Sequence, residues 1–210
     1  MSKYQKLFDK LFNQYGKQDW WPADNYDEII IGAILTQNTA WTNVEKAIRN
    51  LKTANKCDLK SLSNTTENTI AGLIKPSGYF NVKAKRLKTT AKSLVNYNYQ
   101  EYDIDENRNY LLNIKGIGPE TADSILLYAM ELPVFVVDSY TIRLLKRIGI
   151  QLKDYKYHTI QSDIMKKLSR DVNLFNEYHA LIVNHCKFVC KAKPDCINCF
   201  LNEYCDQIEI

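Results

Sequence analysis

The chain has 210 residues, 45% hydrophobic and 25% charged, which is enough for packed cores in one large or two small domains. No apolar run is long enough to cross a bilayer as a helix, and the start, Met1-Ser2-Lys3-Tyr4-Gln5, lacks the apolar stretch of a signal peptide. A net charge of +4, from 28 basic and 24 acidic residues, excludes a polyacidic or extremely basic protein; a cytoplasmic globular protein with no membrane role is expected.

From Lys3 to Tyr15 the apolar positions Tyr4, Leu7, Phe8, Leu11, Phe12 and Tyr15 recur at three- and four-residue steps, which predicts an amphipathic helix closed by Gly16. Trp20-Trp21-Pro22 follows in an irregular segment, because proline disfavours helix in the residue before it. With Asp24 or Asn25 as cap, Tyr26–Leu35 predicts a strongly apolar helix that breaks at Thr36-Gln37-Asn38-Thr39. A further helix then carries Trp41, Val44, Ala47, Ile48 and Leu51 on one side. Gln37, Asn38 and Trp41 thus sit at a helix junction, as caps or as ligand surface.

After a polar stretch over residues 61–66, Glu67–Ile74 reads as helix and residues 75–80 as a turn. Asn81 caps a helix to Val95, and residues 96–106 form a polar, tyrosine-rich connector. Lys83, Lys85, Arg86, Lys88 and Lys92 form one basic cluster and Arg143, Lys146 and Arg147 another, either faces for a polyanion or solvated helix faces. A helix from Pro119 to Met130, about 18 Å long at the usual rise, leads to the extended run Pro133–Val137. Asp138 then caps a helix Ser139–Ile148, and two more helices cover Tyr157–Leu174 and Phe175–Val189. His179 lies on an apolar helix and reads as a core residue. With no strand pattern of substance, the fold class is all-α.

Two stretches carry chemistry. In Ile114-Lys115-Gly116-Ile117-Gly118-Pro119-Glu120-Thr121, two glycines one residue apart allow a tight hairpin between helices. Pro119 fits a first helical turn, and the backbone N–H groups make a place for a phosphate. The tail holds five of the six cysteines. Cys190, Cys196, Cys199 and Cys205, with one C-x2-C pair, can converge on one metal centre, for which spacing alone admits zinc or an iron-sulfur cluster.

Taken together, Thr36-Gln37-Asn38-Thr39, the Gly116-Ile117-Gly118-Pro119-Glu120-Thr121-Ala122 hairpin, Val136-Val137-Asp138 and the cysteine tail resemble the helix-hairpin-helix base-excision DNA glycosylases of the endonuclease III superfamily. Trp20-Trp21-Pro22 and Trp41 resemble the bacterial 3-methyladenine DNA glycosylase III branch. The resemblance implies two helical lobes, residues 25–132 ending in the hairpin 114–118, and residues 1–24 plus 133–210 with the cluster loop 186–205, with a DNA cleft between them. It implies a monomeric, nucleoid-associated enzyme acting on double-stranded DNA that holds a damaged base.

By matching position, the resemblance makes Asp138 the catalytic carboxylate. Lys115, Gly116, Ile117, Gly118 and Thr121 become DNA contacts, with a monovalent cation under the hairpin carbonyls. Gln37 and Asn38 are candidates to fill the gap left by a flipped base. The cysteines become ligands of a [4Fe-4S] cluster in preference to zinc. Two features depart from the family. Cys190 and Cys196 enclose five residues where the endonuclease III pattern has six, which makes Cys190 the least matched ligand, with Cys186 as the nearest alternative. Glu120 stands where strand-cutting members carry a lysine, and a carboxylate cannot form a Schiff base. The expected activity is therefore base release by water. Trp20, Trp21 and Trp41 offer aromatic faces that suit a cationic alkylated purine, with one of the three expected in the core.

Overall fold

The computed structural model describes residues 1–208. Every regular element among them is helical. The chain divides into two compact units, Trp21–Leu132 and Met1–Trp20 plus Pro133–Ile210, so the division falls at Trp20/Trp21 and not at Asp24/Asn25.

The unit Trp21–Leu132 is built around α2 (Tyr26–Leu35), whose residues from Ile30 to Leu35 are all buried. An all-round apolar helix can only be an inner one. It is capped by Asn25, whose side chain accepts the Glu28 N–H at 3.0 Å. Around it stand α3 (Trp41–Thr53), the short α4 (Leu59–Asn64) and α5 (Glu67–Leu73), α6 (Phe80–Leu94), α7 (Ile104–Asn113) and α8 (Pro119–Ser124). α8 runs on into one π-helical turn, Ile125–Ala129.

Several local expectations shift. The polar stretch at 61–66 contains α4, since Asp58 caps it and buried Leu59 and Leu62 anchor it. α6 starts at Phe80, one residue before the expected cap Asn81, behind Tyr79 in the left-handed region at φ 44°. The tyrosine-rich connector ends at Asp103, which forms a reciprocal capping box with Glu106 for α7. α7 holds that connector: the Tyr110 ring stacks on Tyr97 at 4.0 Å, and Asn107 donates to the carbonyls of Tyr99, Tyr102 and Asp103. The helix expected over Pro119–Met130 changes its hydrogen-bond step after Ser124, with Met130 N–H reaching Ile125 O at 3.0 Å. An unbroken apolar run carries no signal for such a change.

In the other unit, α1 (Lys3–Tyr15) and α9 (Ser139–Arg147) pack on α11 (Val172–Phe188), with α10 (Tyr157–Lys167) beside them. Gly16 ends α1 at φ 66°, returning its N–H to Phe12 O. The extended run Val134–Val137 is buried, with Phe135 edge-on to Phe175 at 5.5 Å and to Tyr178 at 5.7 Å. The helix expected over Tyr157–Leu174 stops at Lys167. Asp171 accepts the Leu174 N–H at 2.7 Å and so begins α11 at Val172, three residues before the expected Phe175.

One ion pair locks the two helices of the hairpin. Arg108 on α7 donates from Nε to Asp123 Oδ1 at 2.7 Å and from Nη2 to Oδ2 at 3.1 Å, and the Asp123 side chain is wholly buried on α8. Removing one member of a buried pair leaves the other charge poorly solvated, at a cost of about 3 kcal/mol. Arg108→Met is expected to lower the urea unfolding free energy by roughly that amount; a change below about 0.5 kcal/mol, the level of an ordinary surface substitution, would contradict this role.

Candidate active site and nucleic-acid interface

The hairpin turns on Gly116, at φ +99°, a conformation that side chains resist. Ile117 sends its N–H back to Ile114 O at 3.0 Å and buries its side chain, so it belongs to the core of the turn and offers no outward donor. Among the described residues, the N–H groups of Gly116 and Gly118 make no hydrogen bond. Gly118 has an ordinary φ of −99°, and a Cβ there would meet nothing within 4 Å. Neither conformation nor packing demands this second glycine, and its bare backbone leaves room for a ligand to approach closely. Lys115 and Glu120 are exposed on either side.

Gln37 is turned into this hairpin. Its Nε2 donates to Gly116 O at 3.2 Å and to Thr121 Oγ1 at 2.9 Å, and its Oε1 accepts from Arg86 Nη1. Gln37 therefore buttresses the hairpin, Thr121 serves as its internal anchor, and a cation at the turn would have to share Gly116 O with an amide N–H. Asn38 is exposed at φ 52°.

Lys83, of a basic cluster read as either a polyanion face or a solvated helix face, is buried. Its Nζ donates to Leu35 O at 2.8 Å, Thr39 Oγ1 at 2.5 Å and Ser77 O at 2.8 Å, which uses all three ammonium protons. Burial, followed by the neighbouring Arg86 charge, lowers its pKa to about 8. Lys83 joins the 36–39 turn to the turn that presents Gly78 and the exposed Tyr79, while Arg86, one helical turn later, reaches the 114–118 hairpin through Gln37. Two side chains of α6 thus gather three loops at one place.

In the same unit the Trp21 ring meets Trp41 edge-on at 5.3 Å and lies tilted on Tyr128 at 5.1 Å. It rests on α2 at Gly32, where a Cβ would approach the indole to 3.2 Å. Trp41 donates from Nε1 to Glu45 Oε1 at 2.8 Å, which pins its ring while leaving it half-exposed. Trp20, half-buried, is the last residue of the N-terminal segment of the other unit.

Asp138 caps α9. Its Oδ1 accepts the Thr141 N–H at 2.7 Å and the Thr141 hydroxyl at 2.8 Å, and its Oδ2 lies 3.7 Å from His179 Nε2. Burial opposes ionisation of the carboxyl. The hydrogen bond and charge of His179, with both Thr141 donors, outweigh it and hold the pKa below the ordinary 3.8. His179 is therefore more than core filling: it faces the carboxylate from α11.

Cys190, Cys196, Cys199 and Cys205 line one small, partly open cavity walled by Leu144, Ile148 and His185. Among the described residues no three potential ligands are disposed to hold a single ion. Arg147, of a basic cluster read as either a polyanion face or a solvated helix face, is buried on α9 and donates to Cys190 Sγ at 3.3 Å, Lys191 O at 2.6 Å and Ala192 O at 3.2 Å. Arg143 donates to the carbonyls of Cys190 and Cys186. The Cys186 thiol, against the opposing effect of burial, and then Arg147 and Arg143 draw the Cys190 thiol down to about 6, which favours the thiolate that a metal binds. Cys186 is buried beside it and does not line the cavity. His185, lowered to about 4 by burial, holds Nδ1 2.8 Å from the Tyr15 hydroxyl and Nε2 3.9 Å from Cys199 Sγ.

Residues 31–170 match the family model described as HhH-GPD superfamily base excision DNA repair protein. The chain belongs to that superfamily. A Methanocaldococcus jannaschii protein named as a DNA repair glycosylase is 44% identical over 207 residues, covering 95% of this chain and 94% of the relative. The crystal structure of Helicobacter pylori 3-methyladenine DNA glycosylase bound to 1,N6-ethenoadenine matches with a TM-score of 0.73 at 30% identity, over 88% of this chain and 97% of that one. An endonuclease III–DNA complex matches with a TM-score of 0.82 at 19% identity, over 99% and 97%, a likeness of fold.

Membership makes this chain a base-excision DNA glycosylase with the all-helical fold of that superfamily. No helix among the described residues is long and apolar enough to cross a membrane. Glycine spacing, the capping aspartate and the cysteines are visible in sequence because they act locally. The buried cations Lys83 and Arg147 are not, since nothing in a basic run reveals which member turns inward.

Replacing Arg147 by Met withdraws the guanidinium from two loop carbonyls and one thiol. At about 1.5 kcal/mol or more for each charged hydrogen bond, a loss of about 3 kcal/mol in unfolding free energy is expected. Hydrogen exchange should rise first over residues 190–205, and unchanged protection there would contradict the anchoring role.

Proposed function

We propose that this glycosylase hydrolyses the N-glycosidic bond of an alkylated purine flipped out of duplex DNA, without cutting the strand. The observation that carries the reading is Asp138, held ionised at the head of α9; Glu120, in the first turn of α8 where strand-cutting chemistry needs an amine, argues separately against strand cleavage. The likeness to the Helicobacter pylori enzyme, whose bound base is a modified adenine, supports a purine substrate.

The target must leave the base stack before its glycosidic bond can be reached. As that bond breaks, the base takes the bonding electrons and positive charge develops on the sugar. Asp138 stabilises this charge electrostatically, while water adds at the sugar carbon and its proton passes to solvent. A carboxylate with a lowered pKa is a weak general base, so its main contribution is charge. An alkylated purine that is already cationic leaves as a neutral molecule and needs no acid. The half-exposed Trp41 and Trp21, set edge to face, offer the electron-rich surface that a flat cation prefers.

The hairpin N–H groups of Gly116 and Gly118 hold a DNA phosphate, with Lys115 beside them. With Gln37 occupied, the gap left by the flipped base falls to Tyr79, 73% exposed and held at a strained φ of 44° at the head of α6. The four cysteines of the cavity are proposed to hold a [4Fe-4S] cluster. Zinc needs four sulfurs about 2.3 Å from one point, whereas a cluster takes thiolates spread around a larger body. Such a cluster would crosslink the loop, with Cys190, Cys196, Cys199 and Cys205 holding it and Arg143 and Arg147 fixing Cys190 through its carbonyl and sulfur.

Base release should be scored on duplexes holding 3-methyladenine, oxidised pyrimidines, uracil mismatches, or adenine opposite oxidised guanine. Release of 3-methyladenine is expected, with Asp138→Asn reducing the single-turnover rate about 100-fold or more, as for the loss of one preorganised electrostatic group. Preference for an oxidised pyrimidine, or an unimpaired Asp138→Asn enzyme, would overturn the reading. Asp138 has its pKa lowered, so its ionised form and its contribution to stability are complete above the ordinary value. They are lost only as pH falls through the lower folded value. The rate is thus expected to show no Asp138 titration between pH 7 and about 4, a window set by that ordinary value; a limb near pH 6 that disappears in Asp138→Asn would contradict the assignment.

A further inference from the structure

Arg86 has a second use in the hairpin that its bond to Gln37 does not explain. A Cβ built on Gly116 would lie 2.6 Å from Arg86 Cγ and 2.9 Å from both its Cδ and its Nε, so the arginine stem runs directly over the glycine. Only glycine fits under it. The guanidinium is therefore placed alongside the turn and oriented through Nη1 by Gln37 Oε1. A guanidinium carries five N–H donors. Among the described residues, the donors of Arg86 other than Nη1 make no hydrogen bond, and the side chain is half-buried, not extended into solvent.

Two neighbouring sets of donors thus go unused: the N–H groups of Gly116 and Gly118, and the remaining fork of Arg86. Among the described residues no carboxylate pairs with Arg86, whereas the other partly or wholly buried arginines are committed, Arg108 to Asp123, and Arg143 and Arg147 to the cysteine loop. A partly desolvated guanidinium with open donors, next to backbone N–H groups that also lack acceptors, is matched by a doubly accepting anion such as a phosphodiester.

We propose that Arg86 is a phosphate ligand of the hairpin, donating to the same DNA phosphate group as the backbone of Gly116 and Gly118, or to the one next to it. Gln37 is the positioning residue that aims it. The inference rests on the reading that the hairpin binds DNA and adds a full positive charge to what would otherwise be a neutral backbone cradle. Gln37 then couples the two, because one amide holds Gly116 O and Thr121 through its nitrogen and Arg86 through its oxygen. Of the five cations in the basic segment 83–92, this singles out one for direct contact and assigns Lys83 to the interior.

The test is the salt dependence of binding to a duplex that contains a tetrahydrofuran abasic analogue, measured for the wild type, Arg86→Gln, Arg86→Lys and Gly118→Val. Each phosphate neutralised by a cation contributes about 0.9 to the slope of log K against log salt. Arg86→Gln is expected to weaken binding several-fold and to reduce that slope by about one, while Arg86→Lys retains the slope with an intermediate affinity. Weaker binding by Arg86→Gln at an unchanged slope would mean that Arg86 only supports the fold of the turn and would overturn the proposal, as would unchanged binding. Gly118→Val tests the hairpin itself: if it binds as well as the wild type, the underlying DNA-anchor reading fails, separately from the role of Arg86. Thermal unfolding of each variant, expected within a few degrees of the wild type, ties the slope change to the contact and not to misfolding.

Discussion

The shape of the hairpin in the Trp21–Leu132 unit depends on where α7 and α8 stand relative to each other, and the buried Arg108–Asp123 pair sets this. Both guanidinium faces of the contact are used, at 2.7 and 3.1 Å, and Asp123 is wholly inaccessible. Such a pair adds less net stability than its geometry suggests, because both charges lose water, but it penalises any slippage between the helices. The hairpin can therefore be a five-residue turn with a positive φ at Gly116 and still hold one shape. Gln37 and Arg86 fasten that shape to α6, and Lys83 fastens α6 to the remaining two loops.

A theme runs through both units. Cations that a sequence reader assigns to solvent are used inside, as donors to backbone oxygen. Lys83 satisfies Leu35 O at the end of the central helix, and Arg147 satisfies the loop that carries Cys190. Helix ends and irregular loops leave carbonyls without partners, and a cation with several protons can serve two or three of them at once. This cost in desolvation goes to residues that shape the turns beside the hairpin and the cysteine cavity, two places where the backbone is irregular.

What was legible in the sequence was what acts over a few residues. Apolar spacing marked α1, α2 and α3 because each buries one stripe or, in α2, nearly every side. Gly116 and Pro119 marked the hairpin because a positive φ and a missing N–H constrain residue type. Asp138 was legible as a cap, and the structure bears that out: Oδ1 accepts the Thr141 N–H, while Oδ2 faces His179. What escaped was tertiary. The direction of Gln37, inward to the hairpin and not outward to DNA, depends on Thr121 and Arg86, 84 and 49 positions away. The break between α10 and α11 escaped because Asp171 competes as a cap within an otherwise helical pattern. The role of His179 escaped because a buried histidine looks the same from sequence whether it faces a leucine or a carboxylate.

The central claim is that Asp138 promotes attack by water and that no amine of this chain attacks the sugar. The direct measurement is strand integrity: duplex with a single 3-methyladenine is incubated with enzyme in the presence of borohydride, and the products are separated by denaturing electrophoresis without heat or alkali. The account predicts free base, an intact strand bearing an abasic site, and no protein–DNA adduct. A cleaved strand together with a trapped covalent adduct would contradict it.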